Sequence, residues 1–314
     1  MRPRSSRRRA PGPAKPLPLV VSALLAVALV PAGARAETSI ERAARTGELS
    51  LGFHPGIPPY VQEKANGDLE GYAIDVSGLI AEEVARYLGK PVTVVAEGSA
   101  DAERLFREVH QGSRDLMCGA QFTWEREMFV DFSIPFALSG IRLLTRGGAI
   151  DGTPASLAGK RVGVIGGSLG EATIKALDAG ARPTPFPNLE AAMAALRAGR
   201  VDALAGDSIL LKTQAARAGL ANATLVPTVP YNRYAVGCMV PENNSTLRNL
   251  VNLALARMIQ GYVNDVPRYT QMVNRWVGPG SSVGLSSEVI KSYFQAVLLT
   301  HEQILVPTAP GERP

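Results

Sequence analysis

The sequence predicts an α/β fold divided between two lobes, and three observations support this. Short β-branched runs alternate with segments of helical periodicity, the alternation starts again in a second block at Arg161, and the turn Gly166-Gly167-Ser168 joins the first strand of that block to a helix. Alternating β and α elements predict parallel sheets that are covered by helices. Two such blocks predict two lobes, each with loops at its strand ends that can face a ligand.

The first block begins with a strand and continues with one-sided helices. We predict strands at Leu49–Phe53, Val92–Ala96 and Leu116–Ala120, and helices over Val76–Leu88 and Ala102–His110. In the first helix the apolar residues recur at intervals of three and four, which is typical of a helix with one buried face, and Gly89 ends it. Ile141–Arg146 then leads out of this block.

The second block repeats the pattern and is followed by a further strand and helix. We predict strands at Arg161–Ile165, Val201–Ala205, Thr224–Val226 and Val236–Val240, and helices from Leu169, over Leu189–Ala198, over Leu247–Ile259 and after Ser286. Asn188 is the expected N-cap of one of these helices, and Gly199 ends it. Periodicity does not determine whether the strand near Val236 stays in the second lobe or returns to the first.

Residues 1–36 have the features of a cleavable secretory signal peptide. They contain seven basic residues and no acidic ones, an uncharged and mostly apolar run at Leu17–Val30, and the small-x-small site Ala34-Arg35-Ala36. The run is shorter than the roughly 20 residues of a membrane-spanning helix, although an uncleaved anchor is the alternative. No cysteine near the site offers a lipid attachment. We expect a secreted protein without a lipid anchor.

The formal net charge of +5 comes from this leader. The chain has 33 Lys and Arg against 28 Asp and Glu, and removal of the leader's seven basic residues leaves 26 against 28, a net charge of −2. This balance argues against a nucleic-acid-binding protein. At the other end, the proline-rich residues 301–314 are expected to form a loose tail.

Cysteine and histidine usage gives no indication of a metal site or of a hydrolase. The chain has two cysteines, Cys118 and Cys238, and three scattered histidines without ligand spacing. In an oxidising compartment an even pair of cysteines usually bonds, and two buried thiols are the alternative. The glycines from Gly163 to Gly170 do not have the dinucleotide-binding spacing. We therefore expect no metal and no cofactor.

Five segments resemble the polar amino-acid solute-binding proteins of ABC transporters (solute-binding protein family 3). They are GELSLGFHPGIPPY at Gly47–Tyr60, GDLEGYAIDVSGLIAEEV at Gly67–Val84, DLMCG…TWERE…VDFSIPF at Asp115–Phe136, SLAGKRVGVIGGSLGE at Ser156–Glu171 and AGRVDALAGDS at Ala198–Ser208. They occur in the family's order across roughly Thr38–Gly278. The sequence around the two cysteines is similar to that of the glutamate/aspartate-binding branch.

The resemblance implies a periplasmic-binding-protein (Venus flytrap) fold of the class II type. Two crossing strands, near Arg146 and near Tyr234, would join lobe 1 (37–144 and 235–300) to lobe 2 (145–234), and Cys118 would bond to Cys238 within lobe 1. A monomer in the periplasm would capture an amino acid, close by a hinge motion and deliver it to an inner-membrane ABC permease.

Arg126 is the first candidate for ligand binding. It lies just past a strand end, where the resemblance places the arginine that holds the ligand's α-carboxylate. Guanidinium suits this role because it offers a planar fork of donors and stays charged. The alternative is a surface arginine that pairs with Glu125 or Glu127.

Asp207 and Ser168 are the candidates from the second lobe. By resemblance, Asp207 accepts the ligand's ammonium, and a helix-capping aspartate is the alternative. Ser168 follows the turn Gly166-Gly167 at a predicted helix N-terminus, where backbone N–H groups and a hydroxyl favour an anion. The resemblance assigns Ser168 to the α-carboxylate.

The other candidate ligand contacts are Thr123, Ala120, Arg104, Tyr60 and His54. Arg104 is the candidate cation for a side-chain carboxylate, and Tyr60 the candidate aromatic contact. The glutamate/aspartate branch carries more small hydroxyl residues before the arginine, and its dicarboxylate binders have an arginine where this chain has His54. The resemblance therefore leaves the ligand as an acidic or another polar amino acid.

An enzyme on the same fold is the alternative function, because the family also resembles periplasmic cyclohexadienyl (arogenate) dehydratases. Such an enzyme needs a positioned general acid or base in its cleft. The available acids, such as Glu171, have the positions of ordinary helix-start residues. We predict a binding protein without catalysis.

Overall fold

The structure is a computed structural model that describes residues 12, 37–220 and 222–300. The fold described below belongs to the compact unit that begins at Glu37. The predicted signal peptide (apart from Gly12) and the predicted loose tail lie outside the described residues. Within the described part of the chain, no helix combines the length and the apolar character needed to cross a membrane.

Strands and helices alternate along most of the chain. The strands are β1 (Glu48–Phe53), β2 (Gln62–Glu63), β3 (Leu69–Glu70), β4 (Thr93–Gly98), β5 (Met117–Gln121), β6 (Val130–Phe132), β7 (Ala137–Thr145), β8 (Arg161–Ile165), β9 (Arg182–Phe186), β10 (Ala203–Asp207), β11 (Thr224–Val226) and β12 (Asn232–Pro241). The helices are α1 (Ser39–Thr46), α2 (Tyr72–Leu88), α3 (Ala102–His110), α4 (Trp124–Glu127), α5 (Pro154–Leu157), α6 (Leu169–Ala176), α7 (Leu189–Arg197), α8 (Ser208–Arg217), α9 (Ser245–Val263), α10 (Pro267–Trp276) and α11 (Ser287–Thr300).

Capping side chains and glycines fix several helix ends as predicted. The Asn188 side chain accepts a hydrogen bond from the Ala191 N–H at 2.9 Å and so begins α7. Gly89 takes the left-handed conformation that ends α2, at φ 66°. Helices α1, α4, α5, α8 and α10 and strands β2, β3, β6 and β9 were not predicted. Strand β9 contains Pro183 and Pro185, which its edge position beside β8 tolerates.

An eight-stranded sheet extends through both lobes. Its strand order is β5-β12-β7-β10-β8-β9, with β6 beside β12 and β11 beside β7. The long strands β7 and β12 are antiparallel neighbours, with Asn232 opposite Ile141. On one side β12 pairs with β5 and β6, and on the other β7 pairs with β10 and β11. The strand near Val236 therefore returns to the first block, and β7 and β12 are the two crossing strands of the two-lobed fold.

The buried apolar residues form separate cores. The fully buried members of the largest cluster come from residues 43–141 and 234–297, with Ile209 the one addition from between them among the described residues. Two smaller clusters are built from residues 143–220. This separation supports lobe boundaries near residues 144 and 235, which stay a prediction.

A disulfide bond joins Cys118 on β5 to Cys238 on β12, as predicted. The two residues face each other in the antiparallel pairing of these strands. The bond closes a loop of 120 residues that includes the whole of the predicted lobe 2. It therefore connects the first block directly to the returning crossing strand.

Candidate ligand-binding cleft

A cavity of about 990 Å³ lies between the predicted lobes and is lined by residues from both. This volume is at the upper end of the range usual for small-molecule sites. Six of the predicted site residues line it: His54, Tyr60, Ala120, Arg126, Ser168 and Asp207. An adjoining cavity of about 440 Å³ is lined by Thr123 and shares Arg126 and Ser168 with the first. The fold thus brings together candidates that lie up to 153 residues apart in sequence.

Arg126 projects from the one-turn helix α4, just beyond the end of β5. Its backbone N–H donates to Thr123 Oγ1 at 3.3 Å, and its Nη1 donates to the Gln121 carbonyl at 3.2 Å. Within residues 37–220 and 222–300, no carboxylate lies within ion-pair distance of its guanidinium, so the alternative pairing with Glu125 or Glu127 is not seen. Most of its five N–H donors therefore stay available to a carboxylate in the cavity.

Ser168 lies opposite, in the second block, as the N-cap of α6. Its Oγ accepts from the Glu171 N–H at 3.2 Å, which leaves the hydroxyl proton free to donate to an anion. The neighbouring Gly167 N–H donates to Glu171 Oε2 at 2.7 Å. One backbone donor of the predicted anion-binding turn is therefore already occupied by the chain's own carboxylate.

Asp207 ends β10 and caps α8, so the capping alternative is seen in the structure. Its Oδ1 accepts from the Ile209 and Leu210 N–H groups at 2.8 and 2.9 Å, and its Oδ2 accepts from the Tyr234 hydroxyl at 2.5 Å. A carboxylate has about four acceptor positions, so Oδ2 keeps one for a ligand. Burial raises the pKa of the Asp207 carboxyl above its usual 3.8, and the hydrogen bonds from Tyr234 and the helix oppose this.

The start of α8 is attached to both crossing strands. Tyr234 belongs to β12, and Ser139 of β7 lies 3.3 Å from Ser208, hydroxyl to hydroxyl. Asp207 is thus held by the strands about which the lobes would rotate. Sequence analysis placed Tyr234 near a crossing strand but did not predict its contact with Asp207. No local pattern could have predicted this contact, because it depends on the pairing of β12 with β7.

Helix α8 also contacts the first block beside the cavity. Gln214 Nε2 donates to the Gly56 carbonyl at 3.3 Å, and the Arg217 guanidinium donates to Gln62 Oε1. Both contacts join residues more than 150 positions apart. They connect α8 to the loop after β1 and to β2, and neither was predicted.

Of two further predicted candidates, Arg104 lies outside the cavity and His54 lines it. The structure does not bring Arg104 to the cavity: its side chain is 55% exposed, its Nε donates to Glu108 Oε1 at 2.8 Å, and its guanidinium approaches Glu97. The pairing with Glu108 one turn along α3 holds it outside. His54 lines the cavity, and its Nδ1 lies 2.8 Å from the Pro55 carbonyl oxygen.

The chain matches a known protein family. The model of the bacterial extracellular solute-binding proteins, family 3, matches residues 49–279. The chain belongs to this family. The match confirms the family that the sequence motifs predicted, and the two-lobed fold of this solute-binding protein is the family's fold.

The solute-binding protein is similar to curated and solved relatives. The glutamate/aspartate import solute-binding protein of Salmonella typhimurium is 26% identical over 71% of this chain and 75% of its own. The structure of an ancestral arginine-binding protein bound to arginine is 28% identical, with a TM-score of 0.62 over 74% of this chain and 99% of that one. An ancestral amino acid-binding protein described as a precursor of cyclohexadienyl dehydratase has a TM-score of 0.62 over 76% of this chain and 99% of its own, but at 23% identity that likeness shows the fold alone.

The chemical groups in the cleft suit binding. Within the described residues, no group of three His, Cys, Asp or Glu side chains could hold a metal ion. The cavity offers a guanidinium, a hydroxyl and a carboxylate, the groups that hold the charged ends of a small zwitterion. The family and the curated relative named above are binding proteins, so at the family level this chain is a binding protein.

Proposed function

We propose that the protein captures an amino acid between its lobes in the periplasm and delivers it to an inner-membrane ABC permease. The observation that carries the proposal is the charge pattern of the cavity. Arg126, without a carboxylate partner in the described chain, and the partly buried Asp207 line the same space from opposite blocks. An amino acid carries the complementary pair of charges on one carbon.

In the proposed binding mode both blocks hold the ligand's carboxylate, and the second block holds its ammonium. Arg126 and Ser168 hold the α-carboxylate, and Asp207 holds the α-ammonium through the free position of Oδ2. Closure about β7 and β12 would remove water from these contacts and so strengthen them. The permease would then recognise the closed form of a monomer.

The ligand's side chain is proposed to be acidic or otherwise polar. With Arg126 and Asp207 assigned to the backbone groups, Arg197, Arg217 and Glu190 are the strongly charged side chains that remain in the described lining, so cations exceed anions. The Salmonella relative is named for glutamate and aspartate, which agrees with this excess. The ancestral relative bound to arginine makes arginine the main competitor.

A thermal-shift screen against all amino acids tests the proposed function. A ligand at 100 times its dissociation constant is expected to raise the free energy of unfolding by about 2.7 kcal/mol, because it binds only the folded state. We expect acidic and polar amino acids to give the largest shifts. The Asp207→Asn variant is the matched control, since it keeps one capping oxygen but loses the charge. A screen in which no amino acid shifts the melting temperature would refute the proposal.

Acidification is expected to weaken binding because the ammonium needs ionised Asp207. Burial raises the pKa of this carboxyl above 3.8, so affinity should be full above the raised pKa and should fall as the pH falls through it. The unliganded protein should change in the opposite sense: this group adds stability as it takes up its proton, since the folded state binds that proton more tightly than the unfolded state.

Calorimetric titration at a series of pH values checks this expectation. The affinity of the wild type should decline at a pH above that of an exposed aspartate, and the residual affinity of the Asp207→Asn variant should not. An affinity that stays constant down to pH 3.8 would contradict the assignment of Asp207 to the ammonium.

A further inference from the structure

Two arginines of the second block lie at the ends of neighbouring helices in the cavity wall. Arg197 is the last residue of α7, Arg217 is the last residue of α8, and both line the cavity of about 990 Å³. Arg197 Nη1 donates to the carbonyl of Ala218, the residue after Arg217, at 3.4 Å. The two helix ends therefore adjoin, and together they place two positive charges in one part of the wall.

Neither of these arginines has a carboxylate partner in the described part of the chain. The hydrogen bonds of their guanidinium groups go to neutral acceptors, from Arg197 to the Ala218 carbonyl and from Arg217 to Gln62 Oε1. Glu190, the remaining acid of the lining besides Asp207, lies seven residues before Arg197 on α7, about 10 Å along the helix. Neighbouring positive charges without an anion are unfavourable, so this part of the wall favours an anionic group.

Helix ends explain only part of this arrangement. The C-terminus of a helix is negative and favours a basic residue, and Arg197 fills that role towards the last carbonyls of α8. Arg217 instead donates to Gln62 on β2 of the first block. This contact directs Arg217 towards the opposite block, as expected of a residue that faces a ligand between the blocks.

The distance from Asp207 indicates how long such a ligand is. Arg217 lies ten residues after Asp207 along α8, which places their α-carbons about 15 Å apart. An arginine side chain reaches back over about 6 Å and a glutamate side chain reaches about 5 Å from its α-carbon. The gap that remains is roughly one residue of extended chain, about 3.5 Å. A free acidic amino acid is therefore too short to reach from Asp207 to both arginines.

We propose that Arg197 and Arg217 form a second anion site, which takes the terminal carboxylate of an amino acid whose side chain is extended by about one residue. This inference rests on the proposed function and deepens it, since it names the ligand class. A γ-glutamyl dipeptide has this form: its free α-groups would bind Arg126, Ser168 and Asp207 as proposed, and its far carboxylate the arginine pair. The cavity, near the upper end of the usual range of volumes, has room for such a ligand.

Two compounds that differ only at the far end test the proposal. γ-Glutamylglycine ends in a carboxylate, and γ-glutamylglycinamide ends in a neutral amide of nearly the same shape. In calorimetric titrations the wild type should bind the acid about 10-fold more tightly than the amide, the size expected of two exposed ion pairs.

The double variant Arg197→Ala, Arg217→Ala should lose this preference. It should bind the amide as the wild type does, and its affinity for the acid should fall to that of the amide, because the far carboxylate no longer meets a cation. A merely structural role of the arginines would weaken the binding of both compounds alike. Arg200→Ala, which removes an exposed arginine outside the lining of both cavities, is the matched control and should keep the 10-fold preference.

Equal affinity of the wild type for the acid and the amide would overturn the inference, and so would a preference that the double variant retains. Failure of the proposed function looks different, because the wild type would then bind no amino acid in the thermal-shift screen.

Discussion

Replacement of Arg126 with alanine is expected to weaken amino-acid binding by about 10²- to 10³-fold or more. The reason is the cost of removing one partner of a buried charge pair, about 3–5 kcal/mol, since the ligand's carboxylate would be dehydrated without its cation. Ser168 alone offers one hydroxyl proton in place of a guanidinium fork.

A second variant at position 126 separates charge from geometry, and an arginine outside the cavities provides a control. Arg126→Lys keeps the positive charge but not the planar fork, so its affinity should lie between those of wild type and Arg126→Ala. Arg200→Ala removes an exposed arginine that is outside the lining of both cavities and should leave affinity unchanged. Near-native affinity of Arg126→Ala in a calorimetric titration would disprove the assigned role.

Loss of the disulfide is expected to have the largest effect on stability. The double variant Cys118→Ala, Cys238→Ala should lose about 4–5 kcal/mol of unfolding free energy, because the bond closes a loop of 120 residues and restricts the unfolded chain. The bond also holds β5 against β12, and Ala120 and Gln121 at the end of β5 form part of the cavity wall.

Denaturant unfolding with and without a reductant measures this effect. The reductant should lower the unfolding midpoint of the wild type towards that of the double variant and should leave the double variant unchanged. A wild-type midpoint that does not respond, although thiol titration shows full reduction, would mean that the loop constraint contributes little.

Local patterns were sufficient to predict most of the fold. The α2 periodicity, the Asn188 cap and the Gly89 and Gly199 ends depend only on residues within a turn or two, and observed element ends lie within four residues of predicted ones. Strand β9 is one of the elements that were not predicted, because its two prolines are typical of a loop. They are tolerated in a strand because β9 lies at the edge of the sheet.

Most of the predicted residues that line the cavity lie at or just after a strand end. Ser168 follows β8 and Asp207 ends β10, and these two strands are parallel neighbours, so their ends lie side by side. Arg126 follows β5 in the first block. The contacts of Tyr234 with Asp207 and of Gln214 with Gly56 depend on how distant segments pair, which no local pattern reports. The structure places Arg104 outside the cavity, where it pairs with Glu108 one turn further along α3.

The start of α8 is attached to both β7 and β12, which bears on how ligand binding would be coupled to movement of the lobes. The Tyr234 hydroxyl of β12 donates to the Asp207 carboxylate, and Ser139 of β7 lies within hydrogen-bond distance of Ser208. A twist of these two strands would therefore move the negative charge of Asp207. An ammonium bound to Asp207 as proposed would therefore lie against a residue attached to both connecting strands, and ligand binding would be coupled to the bending of these strands.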